Sequence, residues 1–256
     1  MQLKDKVVVV TGAASGIGAA MARRFAREGA RAVVVADRDG MGAEDVAAEF
    51  GGLGLRTDVT SEADLQHLIA TTQSRFGAID LFCSNAGVSI AGGPGLPDAA
   101  WQQVWNVNLM AHVHAARALL PAMLERGQGY LLQTASAAGL LSQFDAPYAV
   151  SKHAAVAFAE WLSISYASRG IKVSCLCPAG VDTPLLRAEP AQRLRLLSEG
   201  MVSADAVADA VIEGLDAERF LILPQPWIGE QLRRKVDDPD RWLRGMARWH
   251  DSVRKP

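Results

Sequence analysis

Short apolar runs alternate along the chain with longer stretches whose apolar positions recur every three or four residues. The short runs lie at 7–11, 32–36, 54–57, 80–84, 130–134, 171–177 and 220–223. They are almost continuously apolar, as expected of parallel strands covered on both faces. The longer stretches, near 17–28, 41–50, 61–76, 98–126, 148–168 and 203–215, predict helices. Strand–helix alternation with right-handed crossovers predicts an α/β doubly wound parallel sheet of about seven strands, with ligands beyond the strands' carboxyl ends.

No repeat, low-complexity tract or linker interrupts this rhythm, so 1–256 reads as a single domain. Two segments stand outside it. Residues 183–200 mix Leu185, Leu186, Leu194, Leu196 and Leu197 with charges at the carboxyl edge of the sheet. That suits a substrate lid, or else a surface helix on the core. The second is a helical extension, 224–256. There Asp238-Pro239 forms an N-cap and first-turn proline, and Trp242, Met246 and Trp249 share a helical face. From 231 to 256, eight Lys/Arg stand against four Asp. This is the charged face of a packed helix, or one that reaches a partner subunit or closes a pocket.

With half the residues apolar and 21% charged, the chain can bury a substantial core. A net charge of −2 supplies no basic field for nucleic acid or a membrane surface. No apolar stretch reaches the roughly 18 residues that span a bilayer, and no signal peptide is read at the start. Cys83, Cys175 and Cys177 fall in strand-like runs and read as buried thiols, and Cys175-x-Cys177 is not a zinc spacing. His67, His112, His114, His153 and His250 form no metal-type constellation. A cytoplasmic protein is expected.

Against that background several groups of residues carry chemistry. Thr-Gly-Ala-Ala-Ser-Gly-Ile-Gly at 11–18 follows the first strand and opens a helix. Gly12, Gly16 and Gly18 let the backbone turn tightly and approach a pyrophosphate at the helix N-terminus, a Rossmann-type arrangement. Asp37, ending the second strand, is placed to accept hydrogen bonds from an adenosine ribose and to repel a 2′-phosphate. NAD is therefore favoured over NADP, although Arg38 beside it is able to pair with that phosphate. Asp58, with Val59, is placed to read an adenine amino group, or serves as a turn aspartate. In Ser84-Asn85-Ala86-Gly87 the small residues permit close contact with a cofactor, and the Asn85 amide can tie neighbouring strands.

Tyr148 and Lys152 complete the set. On a helix they share a face one turn apart, and the ammonium is expected to lower the phenol from its ordinary value of about 10. Such a tyrosine serves as an acid or base near neutral pH.

Taken together, the motifs resemble the short-chain dehydrogenase/reductase family over nearly the whole chain up to about Leu223. Residues 11–18 match TGxxxGxG, and 84–87 match NNAG with serine for the first asparagine. Asn108 matches the helix asparagine, Ser136 the serine, and 148–152 YxxxK. Pro-Ala-Gly-Val-Asp-Thr at 178–183 resembles PGxVxT. Ser136 lies 12 residues before Tyr148, one fewer than usual, which shortens the loop at 140–147.

The resemblance implies roles. Tyr148 exchanges the proton of the reacting oxygen, Lys152 tunes it and holds the nicotinamide ribose, Ser136 polarises that oxygen, and Asn108 positions a relay water. The implied cofactor contacts come from Gly12, Ser15, Gly16, Ile17, Gly18, Asp37, Arg38, Asp58, Val59, Asn85, Ala86, Gly87, Tyr148 and Lys152. Pro178, Gly180, Val181 and Thr183 complete them. Ile90, Leu140, Leu141, Gln143, Phe144, Leu185 and Leu186 are expected to line the substrate pocket, with Arg187 able to swing in from the lid. The expected activity is NAD-dependent interconversion of a secondary alcohol and a ketone on a hydrophobic or aromatic substrate. Reduction of a 3-oxoacyl thioester and a non-catalytic dinucleotide-binding scaffold are the alternatives. Pairing through the helices at 98–126 and 148–168 implies a homodimer or homotetramer.

Overall fold

The computed structural model describes residues 1–142, 145–189, 194 and 200–254. Each predicted strand is present, within one or two residues of the expected limits. They are β1 (Val7–Thr11), β2 (Ala32–Asp37), β3 (Leu53–Arg56), β4 (Leu81–Ser84), β5 (Gly129–Thr134) and β6 (Ile171–Leu176). After a short pair, β7 (Val181–Asp182) and β8 (Val202–Ser203), comes β9 (Leu221–Ile222). The main sheet is parallel and seven-stranded among the described residues, in the order β3-β2-β1-β4-β5-β6-β9. Its order reverses between β1 and β4, and a crevice opens there at the carboxyl edge.

Helices cover both faces, which is why the strands are apolar throughout. On one side Val8, Val10, Leu81, Cys83 and Leu132 pack under α1 (Gly16–Arg27), α2 (Gly40–Ala48) and α9 (Ala204–Asp216). On the other, Val7, Val9, Phe82, Leu131 and Cys175 pack under α3 (Glu62–Phe76), α5 (Ala111–Glu125) and α7 (Ala146–Tyr166). Val7 to Val10 are wholly buried. The three cysteines are buried free thiols.

The predicted helix at 98–126 runs as α4 (Asp98–Trp105), one π turn (Asn106–Met110) and α5. A π turn is uncommon and is often found at functional sites. This one packs against α7, with Asn108 at its middle. A one-turn helix, α6 (Ala138–Leu141), precedes α7, and α8 (Pro184–Arg187) follows β7.

The extension forms two helices, α10 (Trp227–Asp237) and α11 (Pro239–Arg254). The expected N-cap is present, with the Asp238 carboxylate accepting the Arg241 N–H at 2.9 Å. Trp242 reaches the core, while Trp242, Met246 and Trp249 line a groove of about 1,100 Å³ against α10. No helix of the described residues is long and apolar enough to cross a membrane.

Candidate active site

At the crevice a cleft of about 640 Å³ runs from the β2 end to the start of α7, within the usual size of a small-molecule site. One end is built from backbone. Gly12 and Gly16 adopt φ of +63° and +55°, a region costly for any residue with a Cβ. A Cβ on Gly12 would lie 2.6 Å from the Ala86 Cα, so the turn is wedged against β4. Ser15 caps α1 without a side-chain hydrogen bond, so the first amides of the helix face the cleft with their partial positive charge.

Gly18 serves the expected tight turn and not the expected approach to the ligand. It does not line the cleft, and a Cβ there would strike the Gly12 carbonyl and lie 2.7 Å from the Asn85 Nδ2. Its bareness lets the turn close on itself. Asn85 ties the strands as anticipated, since its Nδ2 donates to the carbonyls of Thr11 at 3.0 Å and Gly12 at 3.2 Å.

The Asp37 carboxylate is held by two backbone donors, Ala14 N–H at 3.0 Å and Asp39 N–H at 3.1 Å. It faces the cleft next to the exposed Arg38. Asp58 also lines the cleft while accepting from Thr60 N–H at 2.9 Å and Thr60 Oγ1 at 2.7 Å. The turn and cleft readings therefore hold together for this residue.

The other end is built from buried side chains. Lys152 is 2% exposed, its Nζ donates to the Thr134 carbonyl at 2.8 Å, and it lies 5.8 Å from the centre of the Tyr148 ring. Burial lowers its ammonium to about 8. Tyr148, half-buried, faces Ser136. Desolvation raises its phenol above the ordinary value, and a hydrogen bond with Ser136 partly offsets this. The sequence suggested that Lys152 would pull the phenol down. In this cleft the lysine stands 5.8 Å from the ring centre, and desolvation is the largest influence on the phenol. Ser136 Oγ accepts the Ala138 N–H at 3.1 Å and donates weakly to the Pro178 carbonyl at 3.4 Å, which fixes its direction.

Asn108 is wholly buried behind the cleft. Its Oδ1 accepts the Val88 N–H at 2.9 Å, and its Nδ2 donates to the Val88 carbonyl and to Ser151 Oγ, both at 3.0 Å. The side chain therefore braces the loop after β4 and has no lone donor turned to the cleft.

Pro178, Gly180, Val181 and Thr183 line the cleft beside α8. Thr183 Oγ1 caps that helix through the Leu186 N–H at 3.3 Å. Leu185 and Leu186 line the cleft as expected. Leu140, Leu141 and Ile90 do not. α6 turns the two leucines into the core, with Leu141 also at the groove of the extension, and Ile90 sits half-buried beside the cleft. Gln143 and Phe144 lie outside the described residues. Arg187 does not swing in, because its guanidinium grips the Asp182 carboxylate at 2.7 and 2.9 Å on the exposed side.

Two positioning residues gave no signal in the sequence. Asp145, 7% exposed and lining the cleft, accepts the Gly92 N–H at 2.8 Å and so anchors the 88–95 loop to α7. Gln225, 3% exposed, accepts the Ala179 N–H at 3.1 Å and donates to the Gly180 carbonyl at 3.0 Å. A lone Gln or Asp carries no spacing to read, and only the fold brings each to its partner.

Known proteins resemble this chain in sequence and fold. Residues 6–194 match the family model described as short chain dehydrogenase. A 1-deoxy-11-beta-hydroxypentalenate dehydrogenase of Streptomyces exfoliatus is 40% identical over 248 residues, 93% of this chain and 90% of that one. A 3beta-hydroxysteroid dehydrogenase of Mediterraneibacter gnavus is 37% identical over 188 residues, 71% of this chain and 68% of its own. Among solved structures, a short chain dehydrogenase/reductase from Burkholderia phymatum in complex with NAD has a TM-score of 0.86 at 31% identity. That match covers 94% of this chain and 96% of that one. With the glycine turn, the buried lysine and the facing serine and tyrosine in one cleft, the chain belongs to the short-chain dehydrogenase family and is an oxidoreductase.

Proposed function

We propose that the protein interconverts a secondary alcohol and a ketone with NAD, on a bulky and largely apolar substrate. One observation carries this reading. The Ser136–Tyr148–Lys152 set closes one end of a cleft whose other end presents the Asp37 carboxylate. The open amides of α1 and the bare Gly12 turn fit a pyrophosphate, and Asp37 fits a ribose with a free 2′-hydroxyl. Bound there, NAD supplies the hydride acceptor.

The chain's own residues handle the proton. Tyr148 Oη takes it from the substrate hydroxyl in oxidation and returns it in reduction. Ser136 Oγ orients the reacting oxygen, and Lys152 places a cation beneath both. Oxidation needs the phenolate, which desolvation opposes, so substrate and cofactor must strengthen the field around Tyr148 before it acts as a base. Leu185, Leu186, Val88 and Val107 give the cleft apolar walls, and Arg187 is engaged elsewhere. A substrate clamped by its carboxylate is disfavoured on that side. The relative named for a hydroxysteroid supports an apolar ring alcohol, and the one named for a hydroxypentalenate supports a hydroxyl on a bulky substrate that also bears a carboxylate. Asp37 weighs against the NADP-linked reduction of a 3-oxoacyl thioester.

A homodimer or homotetramer fits the outer face of α7, where Val150, Trp161 and Ile164 are 49%, 54% and 83% exposed. Of the expected lid at 183–200, residues 190–193 and 195–199 lie outside the described residues, while Leu185 and Leu186 line the cleft. The buried thiols suit a cytoplasmic setting. The test is nicotinamide absorbance with a panel of cyclic and aromatic secondary alcohols, NAD and NADP in parallel, and Tyr148→Phe as control. NAD-linked turnover that vanishes in the mutant is expected. NADH binding with no turnover on any alcohol would favour the scaffold alternative.

A further inference from the structure

Behind the cleft lies a second set of polar groups that the chemistry above leaves unused. The register of the sheet sets Ser84 against Gln133 and Gln133 against Cys175, in one transverse row. Strand alternation turns this row toward α5 and α7, since Phe82, Leu131 and Cys175 pack on that side. His112 projects from α5 one turn after Asn108. It is 1% exposed and near enough for the charge of Lys152 to act on its ring. Both ring nitrogens of His112, both amide atoms of Gln133 and the Ser84 Oγ have no hydrogen-bond partner among the described protein groups. An unpartnered buried polar atom is costly, so five between the sheet and the helix that covers it demand an explanation. Buried water with two to four polar partners is the usual one.

We propose that Ser84, Gln133 and His112 hold ordered water beneath the active site, and that His112 acts through this water as a positioning residue for Lys152. The inference rests on the functional reading above. Among the described residues Lys152 has a single protein acceptor, the Thr134 carbonyl, for an ammonium with three donors. Water held from below supplies a further acceptor and keeps the ammonium charged and aimed at the cleft. His112 suits the role because it stays neutral, its imidazolium suppressed to about 3 by burial and by Lys152. It can therefore both accept from and donate to water. Among the described residues, the titratable groups facing Lys152 are Tyr148 on its own helix, His112 on α5, Cys175 on β6 and Cys177 just beyond that strand. The two cysteine thiols contact each other at 3.7 Å, and that contact, together with burial, holds the Cys175 thiol protonated. Water is thus the mobile partner left to the lysine on this side.

Two measurements test this. A high-resolution crystal structure of the whole protein is expected to show water within about 3.2 Å of His112 and of Gln133 or Ser84. Direct bonds among the three side chains, with no water between them, overturn the proposal whatever the enzyme turns over. The second is the pH profile of kcat for ketone reduction in His112→Phe and His112→Gln, with NADH binding and Tm in parallel. His112→Phe is expected to move the basic limb down by about one unit, the size of one hydrogen bond to a charged group, while His112→Gln keeps it near the wild type. Superimposable profiles for wild type and His112→Phe overturn it, and so do equal shifts in both variants, which would report packing alone. Should His112→Phe fail to fold, Gln133→Leu is expected to give the same downward shift, and an unmoved limb there counts against the proposal. Absence of turnover in the wild type would overturn the activity reading and leave the crystallographic arm to decide this one.

Discussion

The two ends of the cleft are made of different materials. At the glycine turn, ligand-facing groups are backbone amides and carboxylates fixed by backbone donors, with Arg38 and Asp58 open to solvent. At the Tyr148 end, the working groups are side chains stripped of water, and both the phenol and the ammonium move toward their neutral forms. The difference teaches where each end is vulnerable. The first tolerates little change in shape, because its geometry rests on bare α-carbons. The second tolerates little change in charge, because a low dielectric magnifies every unpaired group.

The largest effect is expected at the buried end. Tyr148→Phe keeps the ring and removes the proton, and kcat is expected to fall about 10²–10⁴-fold with NADH binding retained, read by nucleotide fluorescence. If NADH binding fell in step with kcat, the ends would not be separable.

Next comes Asp37→Ala at the open end. Losing a charged acceptor of ribose hydrogen bonds should raise KM for NAD about 10–100-fold and narrow the preference over NADP, with kcat little changed. A variant that still rejects NADP would shift the discrimination to other residues.

Gly12→Ala adds a methyl where φ is +63° and the Ala86 Cα lies 2.6 Å away. Strain and crowding should cost about 1–3 kcal/mol and several degrees in Tm, with NADH affinity falling alongside. An unchanged melting curve would show that the turn is softer than its packing implies.

The subtlest effect is in pH. The folded value for Lys152, about 8, lies below the ordinary 10.5, so the folded chain gives up this proton first. Below pH 8 the ammonium is present, and ketone reduction should keep its full rate. Above about 8 that rate should decline. Stability should gain from this residue between about 8 and 10.5, where the unfolded chain binds the extra proton. The buried Cys83 thiol, raised by desolvation, acts in the opposite sense on stability, so the activity profile is the cleaner readout. A basic limb near 10 would mean that bound ligands restore the solvation of the lysine.

Much of this was legible in the chain because it is local. Continuous apolar runs gave the strands, since a parallel strand buried on both faces has no polar side to show. The glycine turn, Asp37, Ser136, Tyr148 and Lys152 follow from spacing within single elements. What sequence spacing misjudged is instructive. Leu140 and Leu141 look like pocket lining, yet a single helical turn rotates them into the core, and nothing in four residues declares that turn. Asn108 is a correct landmark whose side chain is occupied by Val88 and Ser151. Lys152 was expected to lower the Tyr148 phenol, but spacing cannot weigh a cation against the desolvation of both partners.

Sequence alone therefore determined the alternation of elements, the family and the order of the chemical groups along the cleft, because periodicity and motif spacing are short-range properties. Tertiary structure decided which of those groups lose their water, that Asp145 and Gln225 brace the walls, and that Ser84, Gln133 and His112 share one buried face. Burial and long-range pairing arise only when strands distant in sequence lie side by side, and no local pattern records that.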